Sequence, residues 1–366
     1  MTVIKLNYIN DAVDFQNINH ILVIKLQHLG DSLLTTPLYS VIKKQFPHIT
    51  IDVLVYQEAL PMLEGNPYIS QYFSIDRDWK KKGKVFQLQN EYNLLKRLKT
   101  NPYDLVLNLT DRWRGAWLTR ILKPDYSVSL PYKHRRGKFW ARSFSHLYRI
   151  PQSNRHTVER NLDAIRRLGV QPEIENKKLT FVINKCSEKK IGQLIQSFPN
   201  SKKTIIVIHP TSRWMFKAWN TDGFAKVIKS LNLSGFCVVL ISGPAKEEIV
   251  YVDAIIEKTD GQAINLSGKL SLNESAALIR QADCFLGLDS VAMHISAAVN
   301  TPCVAIFGPT TDKVWKPWMV RHKVIVENYD CRPCGLKGCG DGIFSECIQD
   351  IKPETVVQAV MSLVKK

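Results

Sequence analysis

Asp31 ends a stretch that changes character abruptly. ILVIKLQHLGDSLLTTP (Ile21–Pro37) runs apolar and β-branched, breaks at one glycine, meets one carboxylate and then turns to helical spacing. A carboxylate placed there can take a proton from a hydroxyl nucleophile. It could equally do no more than cap the following helix, as Ser32 also could. A second group of candidates lies in CFLGLDSVAMHISAAVNTPCVAIFGPTT, residues 284–311. A helix opening directly after Asp289 and Ser290 offers unpaired backbone N–H groups and the positive end of its dipole, a cradle for a diphosphate. Asp289 would repel a phosphate laid against it and so suits sugar hydroxyls, leaving Ser290 and the helix-start amides to take the charge. In SRWMFKAW, Arg213 or Lys217 could neutralise a departing diphosphate, a task that a metal ion performs in some enzymes. Glu247, four residues beyond Gly243, is spaced to accept hydrogen bonds from a ribose diol. Singly, each of these reads as well as a surface charge. Standing at three consecutive strand ends, they read as one site.

Such groups need rigid elements behind them. Ile21–Leu26 suits a strand buried on both faces, Gly30 a tight strand-to-helix turn, and Leu33, Leu34, Leu38 and Val41 the apolar face of a helix. Residues 50–55 (TIDVLV) follow as a second strand, giving the strand–helix–strand order of a parallel unit, and Tyr103–Leu109 is a further buried strand. The grammar recurs after a polar connector at Gly169–Lys178. Thr204–His209 runs into Pro210-Thr211-Ser212, Asp222–Leu231 makes a helix, and Phe236–Ser242 ends in Gly243-Pro244. The expected architecture is α/β, with two Rossmann-like units at 1–175 and 176–350 facing across a cleft. A terminal helix within 351–366 is expected to pack back on the first unit, and Met1–His20 reads as a short arm.

The chain has 366 residues, 45% of them hydrophobic, enough for two cores. It contains no apolar run of about 18 residues and no basic-then-apolar leader, so a soluble cytoplasmic protein is expected. Lys and Arg number 50 against 33 acids, a net charge of +17, and residues 1–180 carry 28 basic against 16 acidic side chains. This surplus points to an anionic partner on the N-terminal side. Between Lys133 and Arg160, eight basic residues, Arg135 and Arg136 among them, interleave with Tyr132, Phe139, Trp140, Phe144 and Tyr148. That stretch is either an ordinary basic face or a patch for phosphate-bearing ligands and an anionic leaflet. Asp76-Arg77-Asp78 is a D-x-D of the kind that holds a metal in some glycosyltransferases, and its three residues are a common chance match. Cys331, Cys334, Cys339 and Cys347 fall within 17 residues and could hold a structural zinc, although the spacing is not the usual paired C-x2-C.

The strand-LGDS segment, the HPTS loop with Lys217-x-Trp219, ISGP at Ile241–Pro244 and GLDSVAMHISAAVNTPCVAIFGPT together resemble the ADP-heptose:lipopolysaccharide heptosyltransferases of glycosyltransferase family 9. The likeness runs from Ile21 to the C-terminus and, within the family, is greatest to the subtype that adds the side-branch heptose of the inner core. The resemblance implies a GT-B fold and an inverting, metal-independent transfer from ADP-L-glycero-D-manno-heptose, a co-substrate, with no resident cofactor. By resemblance, Asp31 is the general base, beside Gly30 and Ser32, and Lys217 lies near the diphosphate. Thr211 and Ser212 form the phosphate loop beside Gly243, Glu247 meets the ribose, and Asp289, Ser290, Val291 and His294 form the donor motif. Relatives usually carry Gly where Val291 stands, which would matter if the position needed a positive φ. The implied partners are a phosphorylated lipopolysaccharide inner-core acceptor and the anionic cytoplasmic face of the inner membrane, and not nucleic acid. Rival readings are a GT-B transferase or epimerase using another sugar nucleotide, a catalytically silent scaffold for core assembly, and a basic nucleic-acid-binding protein with a four-cysteine zinc module.

Overall fold

The computed structural model describes residues 11–364 apart from 136, 152–153, 200–202, 341 and 343. Among these, two six-stranded sheets form, parallel at every strand pair. The first contains β1 (His20–Lys25), β2 (Thr50–Tyr56), β3 (Gln71–Ile75), β4 (Leu105–Asn108), β5 (Tyr126–Ser129) and β6 (His146–Leu147), in the order β3-β2-β1-β4-β5-β6. The second contains β7 (Ile205–His209), β8 (Cys237–Leu240), β9 (Ile264–Asn265), β10 (Cys284–Leu288), β11 (Cys303–Ile306) and β12 (His322–Ile325), in the order β12-β11-β10-β7-β8-β9. Each order reverses once, between β1 and β4 and between β7 and β10. Loops leaving such a point in opposite directions open a crevice at the carboxyl ends of the strands.

The chain divides into two units, Met1–Lys178 and Leu179–Lys366. In the first unit, the helices α1 (Leu29–Leu33) and α2 (Thr36–Gln45) join β1 to β2, α3 (Lys84–Leu98) joins β3 to β4, and α4 (Trp113–Leu122) joins β4 to β5. Leu94 and Leu98 of α3 and Leu118 of α4 enter one apolar cluster with Leu22, Ile24 and Val106, so the two helices cover the same face of the sheet. Strand runs without polar interruption are what burial on both faces demands, and every residue of β4 and β7 is buried.

Three expectations change. Gly30 is no turn residue: it lies inside α1 and has no positive φ. Residues 11–20 are not a loose arm, because Phe15 and Ile18 are buried and the Val13 N–H donates to the Leu168 carbonyl at 3.0 Å. Met1–Asn10 lies outside the described residues. Finally, the helix Pro353–Val364 belongs to the second unit, where Val356, Ala359, Val360 and Leu363 join Phe224, Val227, Leu240 and Ile306 in one cluster. Apolar positions at i, i+3, i+4 and i+7 give that helix a single sticky face, and its own unit's core buries it.

Candidate active site

In the first unit the site grows from the ends of β1 and β4. His28 is the N-cap of α1 and Asp31 sits in its first turn, so Asp31 is not the cap. The Ser32 hydroxyl is likewise not a cap; it is buried and donates to the His28 carbonyl at 3.2 Å. Beside it, Thr110 at the end of β4 donates to the Leu26 carbonyl at 3.3 Å, pinning the two strand ends together. Asp111 pairs with His134 at 3.0 Å, and the Arg135 Nε donates to the Asp111 carbonyl at 2.8 Å while its guanidinium lies 4.9 Å from the Trp113 ring centre. Arg135 is thus fastened to this loop, whereas Arg136 lies outside the described residues. Of the rest of the basic–aromatic stretch, Lys133, Lys138, Arg142 and Arg149 are exposed, while its rings turn inward. Trp140, Phe144 and Tyr148 are buried, and Arg155 is held by Glu159 and Asp163.

Two features of this half went unread in the sequence. Lys25, at the end of β1, is buried with its Nζ 3.3 Å from Asn161 Oδ1, and Asn161 in turn donates to the Leu34 carbonyl that closes α1 at 2.9 Å. Burial drives the Lys25 pKa down, and the negative charges of Asp31 and Asp111 oppose that shift. A lysine inside the run ILVIKL passes for an interruption, but a strand end at a reversal point is where a buried cation can face carboxylates. The second feature is a hollow of about 210 Å3 lined by Tyr56, Arg77, Trp79, Lys80 and Arg114 among others. Arg77 stacks over Tyr56 at 3.9 Å, and its Nη1 lies 3.5 Å from Glu58, which stands 3.9 Å from His28 at the start of α1. The D-x-D carboxylates are spent locally: Asp76 caps the turn Arg77–Lys80 and pairs with Lys82, and Asp78 pairs with Lys81.

In the second unit Asp289 organises three loops. It receives the Lys217 Nζ at 2.6 Å from the loop after β7 and the Thr310 hydroxyl at 2.7 Å from the loop after β11. Lys217 and Asp289 are both largely buried, which makes this a charge-assisted contact with little competition from water. Arg213, the other candidate cation, is exposed and lies over Trp214. Ser290 is the N-cap of the helix Val291–Ala298, yet its hydroxyl is buried and bonds no partner. Val291 is that helix's first residue and has no positive φ, so its side chain meets none of the strain that a required glycine would imply. His294 is buried one turn in.

Thr211 is buried and donates its hydroxyl to Glu248, which also accepts the Gly243 N–H at 3.2 Å. Glu247, the expected ribose contact, is exposed on the first turn of the helix Lys246–Lys258. Glu248 is the third helical residue, the place from which a Glu reaches back toward the preceding strand end. That register was readable once the helix start was known. A Cβ on Gly243 would stand 2.8 Å from Glu248 Oε1, so a larger residue there would push the Glu248 carboxylate aside. Ser212 is buried beside Thr211, and its hydroxyl accepts from the Trp214 N–H at 3.4 Å. Burial holds the His209 imidazole below its ordinary pKa, with Glu248 pulling the other way.

The four clustered cysteines, a possible zinc set, are unevenly placed. Cys347 is buried, Cys334 and Cys339 are half-buried and Cys331 is exposed, and among the described residues no three His, Cys, Asp or Glu side chains are gathered as a metal requires. Burial and the neighbouring thiols push the Cys347 thiol up to about 11.

Residues 92–342 match the model of glycosyltransferase family 9 (heptosyltransferase). The chain belongs to this family. The enzyme is 39% identical over 291 residues to lipopolysaccharide heptosyltransferase 3 of Escherichia coli, a match covering 79% of this chain and 83% of that one. Its fold is that of the family 9 glycosyl transferase of Veillonella parvula DSM 2008 (TM-score 0.81, 22% identity, 97% and 99% of the two chains). It is also that of E. coli ADP-heptose lps heptosyltransferase II (TM-score 0.74, 19% identity, 94% and 98%). The enzyme is therefore a glycosyltransferase of the two-sheet GT-B class, with the loop ends described above as its candidate active site.

Proposed function

We propose that the enzyme transfers L-glycero-D-manno-heptose from ADP-heptose to a heptose of the lipopolysaccharide inner core, as a side-branch addition. The observation that carries this reading is the braced trio Lys217, Asp289 and Thr310 beside an uncapped helix start, in a family of heptosyltransferases and 39% identical to a heptosyltransferase 3. The helix-start amides and the unpartnered Ser290 hydroxyl suit the diphosphate. Glu248, with Glu247 beside it, faces the nucleoside end. In the first unit, Arg77, Lys80 and Arg114 suit phosphates on the acceptor saccharide, with Trp79 and Tyr56 offering sugar-stacking faces.

Chemically the step is a single displacement at the anomeric carbon. An acceptor hydroxyl oxygen forms the new bond while its proton passes to the Asp31 carboxylate, and the bond to the diphosphate oxygen breaks on the opposite side, inverting the centre. General-base help of this kind contributes about 10²–10⁴-fold. ADP departs with the electron pair, its growing charge met by the Lys217 ammonium and the helix terminus, the work a metal ion does elsewhere. The acceptor is lipid-anchored, so the enzyme works against a membrane surface, in keeping with its basic N-terminal half.

Incubation with ADP-heptose and a lipopolysaccharide truncated before the branch, followed by mass and linkage analysis, tests the reading. One added heptose on an inner-core heptose supports it. Release of nucleoside diphosphate only from a UDP-sugar would overturn it in favour of another donor.

A further inference from the structure

We propose that α3 and α4 form the face by which the enzyme docks on an anionic phospholipid bilayer, an inference that rests on the lipid-anchored acceptor of the preceding section. The expected basic–aromatic patch at 133–160 has its largest rings buried, but the helices before it do the reverse. On α4, Trp113, Trp117 and Ile121 recur every four residues, and Trp117 is 55% exposed. On α3, Val85, Leu88 and Tyr92 share a stripe and are 80%, 69% and 67% exposed. Both helices bury their opposite sides in one core cluster, and the Arg114–Glu91 ion pair ties them along their flanks. Two outward apolar stripes, one tryptophan-bearing, therefore lie on one side of a single sheet. Isolated exposed apolar residues need no explanation, but a contiguous set marks a contact surface.

Charge identifies the occupant. Between Asp76 and Arg142 the sequence carries 17 Lys or Arg against six acids, nearly the whole surplus of the N-terminal half. Lys81, Lys82 and Lys84 crowd the start of α3, the positive end of its dipole, where the dipole disfavours them, and Asp78 and Asp76 pair with the first two. Arg120 lies over Phe139, which packs on Trp117. Apolar stripes with indole rings, flanked by lysine and arginine, match a headgroup layer of negative charge above hydrocarbon better than a protein partner. No helix among the described residues is long and apolar enough to cross a membrane, so contact would be by this face lying on the surface. The face also adjoins the acceptor hollow: Gln87 and Arg114, which line it, come from these two helices. A saccharide rooted in the bilayer would emerge beside the pocket meant to receive it.

The test is sedimentation of the full-length chain with phosphatidylcholine vesicles, with and without phosphatidylglycerol. Binding is expected only with the anionic lipid and should weaken as salt rises. Leu88→Ser with Trp117→Ser should lower vesicle affinity at least roughly tenfold, and replacing Lys81, Lys82 and Lys84 by Gln should flatten the salt dependence. Both variants should keep the wild-type rate on a deacylated, water-soluble acceptor, which checks that they are folded. Equal binding to neutral vesicles, or variants that bind like wild type, would overturn the proposal. So would a concentration-dependent dimer that the serine variant dissolves, because the face would then belong to a second copy. Vesicle binding as expected with no heptose transfer to any acceptor would retire the functional reading and leave the docking face standing.

Discussion

Asp31 bears the heaviest demand in the proposed reaction. It stands in the first turn of α1, free of the capping duty that the sequence left open, because His28 occupies the cap. Asp31→Asn keeps the shape and removes the base, so kcat should fall by about 10²–10⁴-fold. The Kd for ADP, read by calorimetry, should stay within about twofold. A variant with near-normal turnover would send the search to Asp111. Lys25 offers a second test through its depressed pKa. With the folded pKa below the unfolded 10.5, the unfolded chain holds more protons in the window between them, and stability rises with pH across it. Lys25→Met has no such term. It should melt above wild type near neutrality, and the gap in Tm should shrink as pH climbs toward 10.5. A gap that stays constant with pH would mean that burial does not govern Lys25.

At the level of elements, the helix Val291–Ala298 is the part most specifically assigned. Its first amides are unspent, and Ser290 before it is extended at φ −146° and ψ 171°, a conformation that tolerates a following proline. Proline is also well suited to the first helical position. Val291→Pro therefore deletes one candidate phosphate donor and leaves the helix intact. The expected result is a rise of roughly ten- to hundredfold in the Kd for ADP, with an unchanged Tm. A large fall in Tm would mean the helix start had moved, and an unchanged Kd would take that amide out of the donor site. Asp289 illustrates how elements converge. It lies on the loop after β10 but is held by Lys217 after β7 and Thr310 after β11.

On the scale of the molecule, each unit owns a six-stranded sheet, and the second owns the terminal helix as well. Residues 179–366 made alone should fold, bind ADP and transfer nothing, which circular dichroism, calorimetry and product analysis would check together. Failure to fold would show that the first unit supplies part of the second unit's stability. Much of this was legible in the chain itself. The runs at β1, β4, β7 and β10 announced buried parallel strands, and Asp31, Lys217, Asp289 and Ser290 stood out because carboxylates, cations and helix starts fell at strand ends. Local pattern suffices there, since strand burial and helix initiation depend on neighbours in sequence. Other features depended on neighbours in space. Glu248 rather than Glu247 turns toward Thr211 because helix register decides it. The rings at Trp140 and Tyr148 go inside while Trp117 stays out because the sheet's packing decides it, and the same packing places Lys25 among carboxylates six or more residues away. Composition showed a basic surplus, and only the folded chain shows which apolar side chains stay exposed beside it.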